Sequence, residues 1–276
     1  QCDWSSDVCS SDLRDLWNYT AVQETVGYVG GNSPAGSGSF VVSPFTSGEL
    51  ISLRLDNGRP VWNESLLGQR AELRAFGNIA DIRGRPVIDR GLVFAMGSAG
   101  QLTAIDLNSG QRLWDRNIGG NQTPWVAGRF VFVITGSADV VALERTTGKV
   151  KWVTPLTQFL DDKRRHPIMW AGPVLASDRL LVTGSTGDLL AISPYTGDVL
   201  GKVEMNAPVR LGPVIANGTI YVLTDTGRLH RLGDAQARRL EPHPGGGRGH
   251  PARHHPLIAA DRFDRVGADE ISMFAH

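Results

Sequence analysis

Ala99-Gly-Gln-Leu-Thr-Ala-Ile-Asp-Leu-Asn-Ser-Gly-Gln-Arg-Leu-Trp114 recurs, with substitutions, along the chain. Ser47-Gly-Glu-Leu-Ile-Ser-Leu-Arg-Leu-Asp-Asn-Gly-Arg-Pro-Val-Trp62 precedes it; Ser137-Ala-Asp-Val-Val-Ala-Leu-Glu-Arg-Thr-Thr-Gly-Lys-Val-Lys-Trp152 and Thr186-Gly-Asp-Leu-Leu-Ala-Ile-Ser-Pro-Tyr-Thr-Gly-Asp-Val-Leu-Gly201 follow. A fifth copy opens at Thr226-Gly-Arg-Leu229 and then loses the pattern. Within a copy the alternation has the period of a β-strand: Leu102 and Ala104 point one way, Thr103 and Ile105 the other. A turn follows at Asn108-Ser-Gly110, with equivalents ending at Gly58, Gly148 and Gly197. Glycine there supplies a left-handed backbone, and the Asn, Asp or Thr before it can bond the turn.

Each hairpin is preceded by two more apolar runs with a polar link, as in Pro86-Val-Ile-Asp-Arg-Gly-Leu-Val-Phe-Ala-Met96 and Pro173-Val-Leu-Ala-Ser-Asp-Arg-Leu-Leu-Val-Thr183. Each unit therefore predicts four short antiparallel strands. The turn glycines are 52, 38 and 49 residues apart, which brackets the roughly 40–45 residues of a four-stranded propeller blade. Units that cannot bury both faces alone must stack, and radial stacking gives an all-β propeller with short, protected edges. A β-sandwich and an open solenoid are the competing architectures.

The string Ala-[Leu/Ile]-x-x-x-[Ser/Thr/Asn]-Gly-x-x-x-Trp, at Ala104–Trp114 and Ala142–Trp152, resembles the PQQ-type repeat of the quinoprotein-like propellers. The resemblance implies that Trp62, Trp114 and Trp152, with Gly58, Gly110, Gly148 and Gly197, dock neighbouring blades. A Trp after a tight turn suits that role, since it buries a large ring while its N–H reaches a carbonyl. The repeat does not fix function, because one fold hosts many. Leu16-Trp-Asn-Tyr19, Gly30-Gly-Asn-Ser-Pro34, Pro44-Phe-Thr-Ser-Gly-Glu-Leu50, Asp56–Trp62 and Ile192-Ser-Pro-Tyr-Thr-Gly197 resemble the BamB family of the β-barrel outer-membrane assembly (BAM) machinery, from about Asp15 to Leu232.

That resemblance implies a non-enzymatic scaffold of eight blades without a cofactor, anchored by a lipid at the periplasmic face of the outer membrane. Its partners would be the central subunit of the machinery and nascent outer-membrane proteins. This chain then holds four blades, part of a fifth and the tail of an earlier one, and lacks about three. Unclosed, it is expected to aggregate through its sheet edges. Two loops carry the family's contacts, which places partner binding at Tyr28 and Val29 in Tyr28–Ser33 and at Asp81 and Arg83 in Ala80–Pro86. Gly30 stands where a basic residue is expected, and Arg83 where an acidic one is. An ordinary connecting role for both loops is the alternative.

The alternative function is a periplasmic PQQ-dependent dehydrogenase. That chemistry calls for a quinone pocket, a Ca²⁺ held by oxygens and a carboxylate base. No such set stands out. Asp106 sits where it would cap the hairpin. Asp161-Asp-Lys-Arg-Arg-His-Pro167 offers His166 with Asp161 or Asp162 as an acid–base or metal pair, but reads as a solvated inserted loop, with Trp170 anchoring it. Gly27–Gly38 contains Gly36-x-Gly38 without the strand and helix of a phosphate loop, and reads as a connection between blades.

The 28 basic and 28 acidic residues cancel, so no global field favours nucleic acid or an anionic membrane. The two ends differ from the rest. Cys2 and Cys9 lie in residues 1–13, where Asp3–Leu13 resembles the translation of a sequencing-adapter tail; a disulfide and a lipidated Cys2 are the other readings. After the repeat region 14–232, residues 233–276 turn rich in Arg, Pro, Gly and His. A frameshift is the expectation there, against a disordered tail or a metal site using His230, His243, His250, His254, His255 and His276.

Overall fold

The computed structural model describes residues 15–21, 33–66, 82–98, 100–161 and 163–232. Among these there is no helix, and nineteen strands form five antiparallel sheets. The first contains β1 (Ala35–Ser37), β2 (Phe40–Pro44), β3 (Glu49–Arg54) and β4 (Pro60–Ser65). The second is β5 (Val87–Asp89), β6 (Leu92–Met96), β7 (Leu102–Asp106) and β8 (Arg112–Arg116). The third is β9 (Trp125–Ala127), β10 (Phe130–Ile134), β11 (Asp139–Glu144) and β12 (Val150–Pro155). The fourth is β13 (Trp170–Ala176), β14 (Arg179–Gly184), β15 (Asp188–Ile192) and β16 (Val199–Glu204). The fifth holds three described strands, β17 (Val214–Ala216), β18 (Thr219–Leu223) and β19 (Leu229–Leu232). Each sheet is a simple meander, with strands paired in chain order.

The sheets stack as blades of a propeller. Successive first strands touch, β1 to β5, β5 to β9 and β9 to β13, so the first strands sit innermost. The period-2 pattern explains the stacking. In the second sheet Val93, Ala95 and Ile105 join Val42, Leu50, Trp62 and Leu66 of the first in one apolar core. Their alternates Phe94, Met96, Leu102 and Ala104 face the other way, into a core with Val131, Val133, Val141 and Leu143 of the third. Two further cores follow: Phe132, Val140 and Ala142 against Leu180, Val182 and Ile192, and then Leu181, Leu189 and Ala191 against Val209, Val222 and Leu232. With both faces of a blade dry, Leu102 through Ile105 are all buried.

In each of the four complete sheets the third and fourth strands slip register at the same place. Ser52, Ala104, Ala142 and Ala191 pair with Trp62, Trp114, Trp152 and Gly201, whereas the next residue pairs with Pro60, Arg112, Val150 and Val199. One residue is left over in the fourth strand each time, a β-bulge that re-aims the side chains around it. Val61 and Leu113 at the bulges are exposed, while Trp62 and Trp114 beside them are buried.

One expectation needs correcting. Part of the glycine-rich run read as a connection is the strand β1, with Gly38 in the turn to β2. A three-residue inner strand containing glycine is too short to show alternation. Trp170, read as the anchor of the inserted loop, opens β13. Cys2, Cys9, Tyr28, Val29, Asp81, Asp162 and the histidines after His230 lie outside the described residues.

Candidate functional site: the connection face of the propeller

A meander of four strands puts its turns on two opposite faces of the ring. On one face lie the turns between first and second strands and between third and fourth. They are held side by side, as Leu55 N–H donates to Ser39 O (2.9 Å), Leu107 N–H to Gly91 O (2.9 Å) and Arg145 N–H to Arg129 O (2.8 Å).

The blades clasp one another on this face. Trp17 Nε1 donates to Leu55 O at 2.9 Å, Trp62 to Leu107 O at 2.8 Å, Trp114 to Arg145 O at 2.8 Å and Trp152 to Pro194 O at 3.0 Å. Each ring also covers the turn glycine of the next blade. A Cβ added to Gly58, Gly110, Gly148 or Gly197 would strike Trp17, Trp62, Trp114 or Trp152 respectively. All four glycines have positive φ, at 67°, 73°, 63° and 80°. The Trp–Gly spacing therefore records a contact between consecutive blades, in which only glycine leaves room for the ring.

A second contact comes from the residue two after the Trp, on the same side of the strand. Arg116 Nε donates to Gly148 O at 2.7 Å and its Nη2 to Thr147 O at 2.8 Å. Thr154 Oγ1 donates to Gly197 O at 2.5 Å. Glu64, which cannot donate, instead receives Arg112 Nη2 of the next blade at 2.6 Å. The residue types vary, so a repeat search overlooks this position; strand periodicity counted from the Trp is the signal that finds it. Trp17 was likewise overlooked as a docking residue because its own repeat is not visible.

The turn residues are capped from within. Asp106 Oδ1 accepts from Asn108 N–H (3.1 Å), Ser109 N–H (2.8 Å) and Ser109 Oγ (2.8 Å). The Ser109 backbone and hydroxyl hydrogen bonds favour its ionised form and hold its pKa below the ordinary value. Glu144, one blade on, accepts from Thr147 Oγ1 at 2.7 Å and is lowered chiefly by that bond.

The opposite face carries the turns between second and third strands and the connections from blade to blade. These connections lie over the turns. Gly136 N–H donates to Gly119 O at 2.7 Å, Ser185 N–H to Met169 O at 2.8 Å and Met205 N–H to Gly187 O at 2.7 Å. On this connection face the segment 82–86 alternates: Ile82, Gly84 and Pro86 are buried while Arg83 and Arg85 are exposed. The segment is fastened by Arg85 N–H to Thr123 Oγ1 at 3.1 Å, and Gly84 lies so close to Gln122 that a side chain would collide. Arg83 is thus lifted to solvent on a rigid support.

Asp161 and His166 do meet, at 3.5 Å, on an exposed loop. Arg165 shares the same carboxylate at 3.6 Å. Among the described residues no three His, Cys, Asp or Glu side chains gather as metal ligands would. Trp170 Nε1 donates to Thr157 O at 2.8 Å and so ties the start of this loop to β13.

The described fold is similar to the crystal structure of BamB from Moraxella catarrhalis, with a TM-score of 0.65 at 19% identity, covering 78% of this chain and 62% of that one. A quinohemoprotein alcohol dehydrogenase from Pseudomonas putida HK5 shares the fold at a TM-score of 0.56 and 17% identity, over 79% of this chain and 43% of that one. At such identities only the propeller architecture is common ground. Curated relatives named outer membrane protein assembly factor BamB align more closely. That of Alkalilimnicola ehrlichii is 27% identical over 74% of this chain and 51% of its own length, and that of Legionella pneumophila is 27% identical over 73% and 50%. The chain spans about half the length of the curated relatives it matches. The family profile described as outer membrane protein assembly factor BamB matches residues 8–154 and 161–260, and the chain therefore belongs to the BamB family of PQQ-type β-propellers.

Proposed function

We propose that this propeller is a non-enzymatic accessory scaffold of the BAM complex, and that it assists folding and insertion of outer-membrane proteins by docking on the machinery's central subunit. The observation that carries the reading is the family match along nearly the whole repeat region. Docking is through Tyr28, Val29, Asp81 and Arg83, of which Arg83 lies on the connection face. Arg83 stands exposed between buried Ile82 and Gly84, as a contact residue on a fixed support requires. An aromatic and an aliphatic residue such as Tyr28 and Val29 are of the types in which interface energy concentrates. A lipid anchor on the intact protein, at the periplasmic face of the outer membrane, and contact with nascent outer-membrane proteins belong to the same reading.

The test is co-purification of the tagged chain with the central assembly subunit from solubilised outer membranes. We expect capture by the parent chain and a loss of about tenfold for Asp81→Arg. Failure of the parent chain to capture the subunit overturns the proposal. So does saturable, Ca²⁺-dependent reduction of a dye by an alcohol after loading with PQQ, which would assign the dehydrogenase function instead.

A further inference from the structure

The sequence holds two Asn-Gly dipeptides, Asn57-Gly58 and Asn217-Gly218. Asn before Gly is the pairing most prone to lose ammonia, because glycine has no side chain to keep its backbone nitrogen away from the preceding carboxamide. Both dipeptides sit in turns between paired strands on the same face of the ring. The fold presents them in opposite ways.

Asn57-Gly58 is closed. Gly58 N–H donates to Arg54 O at 2.9 Å, so the nitrogen is engaged. Asn57 Oδ1 accepts from Arg59 N–H at 3.0 Å, which fixes the carboxamide. The Trp17 ring lies over Gly58 so closely that a Cβ there would strike it, and Gly58 is buried.

Asn217-Gly218 is open. It is the two-residue turn of the β17–β18 hairpin, in which Ala216 pairs with Thr219. Both turn residues have positive φ, 50° and 67°, as such hairpins require. Both are exposed, and a Cβ on Gly218 would meet nothing within 4 Å. Among the described residues neither the Asn217 carboxamide nor the Gly218 N–H has a hydrogen-bond partner; Asn217 takes part only through its backbone O, 3.5 Å from Thr219 Oγ1. The hairpin is also lightly held. All three residues of β17 are exposed, and the seam behind it has Gly201 where the other blades have a clasping Trp. Local opening there meets little resistance.

We infer that Asn217 is a site of spontaneous modification, converting to aspartate and isoaspartate through a succinimide, and that the Trp17 clasp and its hydrogen bonds protect Asn57 from the same reaction. Hydroxide takes the Gly218 N–H proton and the nitrogen attacks Asn217 Cγ. A C–N bond forms, and the side-chain nitrogen takes a proton from water and leaves as ammonia. Water then opens the imide. Breaking the new bond to Cγ leaves aspartate in a normal main chain; breaking the bond to the Asn217 backbone carbonyl carbon leaves isoaspartate, with the main chain running through Cβ. The net reaction consumes water and releases ammonia, with no oxidant or cofactor. Either product puts a carboxylate on the uncharged turn Ala216–Thr219. Isoaspartate also lengthens a main chain whose turn holds only two residues, which breaks the pairing of Val214, Ile215 and Ala216 with Tyr221, Ile220 and Thr219. This chemistry belongs to the chain itself and does not rest on the assembly reading.

The test holds the purified full chain at mildly alkaline pH, samples it over days, digests it in mild acid and maps the peptides by mass spectrometry. Enzymatic carboxyl methylation counts isoaspartate. Asn217 should convert at least about tenfold faster than Asn57, since two hydrogen bonds must open at Asn57 first. Its rate should rise with pH, because the attacking nitrogen must lose its proton. Hydrogen exchange in Val214–Ala216 should rise as the parent ages and stay constant in Asn217→Gln. In urea the two sites should convert at similar rates, and Trp17→Ala should speed Asn57 while leaving Asn217 unchanged. The inference is overturned if Asn217 stays intact in the folded chain while the urea-treated chain converts, or if both sites convert equally in the folded chain. A preference for Asn217 that persists in urea also overturns it, because the cause then lies in the flanking residues and not in the fold. An Asn57 still slow in folded Trp17→Ala overturns the protective role of the ring; if that variant misfolds by circular dichroism, the urea comparison decides.

Discussion

Gly148→Ala tests the blade clasp, and Gly128→Ala is its internal control. Both glycines have positive φ, 63° and 54°. A Cβ at Gly128 meets nothing within 4 Å, whereas one at Gly148 would lie 2.5 Å from Trp114 Cδ2 and 2.6 Å from Cε3. The left-handed backbone costs alanine about 1–2 kcal/mol, partly offset by about 0.4–1 kcal/mol from the restricted unfolded chain. Gly128→Ala should therefore destabilise by about 1 kcal/mol. Gly148→Ala adds the clash. Carbons prefer a separation of about 3.5–4.0 Å, so the ring must retreat by about 1 Å. It is held by its bond to Arg145 O at 2.8 Å and packs beside Phe94, with ring centres 6.1 Å apart. Overpacking of this kind costs about 1–3 kcal/mol, which gives about 2–4 kcal/mol in total. Thermal unfolding at a fixed scan rate should place Gly148→Ala about 4–8 °C below Gly128→Ala for a difference of about 2 kcal/mol. In a Trp114→Ala background, itself costing about 3–5 kcal/mol, the excess penalty should vanish. Equal costs at the two glycines, or an excess that persists without the ring, would refute the clasp.

Ser52 occupies the place of Ala104, Ala142 and Ala191, and its hydroxyl is buried without a hydrogen-bond partner among the described residues. Ser52→Ala should stabilise by about 1 kcal/mol, raising Tm by about 2–4 °C; a lower Tm would show that the hydroxyl is satisfied. Asp106 and Glu144 have lowered pKa values, so their contribution is present above the unfolded values near about 4 and is lost as pH falls through the folded ones. Asp106→Asn should accordingly be less stable than the parent at neutral pH and equal to it in acid, and a gap unchanged by pH would sink the assignment. The seam between the fourth and fifth sheets has Gly201 in the Trp position and so no ring to clasp. Hydrogen exchange in β17 and β18 should outpace that in β9 and β10, and equal protection would show that the seam core compensates.

How much was legible follows from where each contact lies in sequence. A hairpin with a glycine turn is local, so the repeat exposed the blades and the alternation told which residues share a face. Partly buried Arg116, Thr154 and Glu64 were not legible, because their partners belong to the next blade and different chemistries serve one purpose. β1 escaped for a different reason: three residues near the axis carry too little pattern. At the candidate interface, the alternation Ile82, Arg83, Gly84, Arg85 could have been read as a fixed strand-like segment, but Thr123 and Gln122, which hold it, are nearly forty residues away.

The sequence by itself determined the blade, its four strands, its capped turn and the kinship, since all of these reside in short-range periodicity and in residues with special backbone freedom. Only the tertiary structure decided that each Trp reads the glycine of the following blade, that a bulge turns it there, and that the connections lie over the turns of one face. Those relations join residues thirty to fifty positions apart, and radial stacking brings them together whatever the connections between them contain.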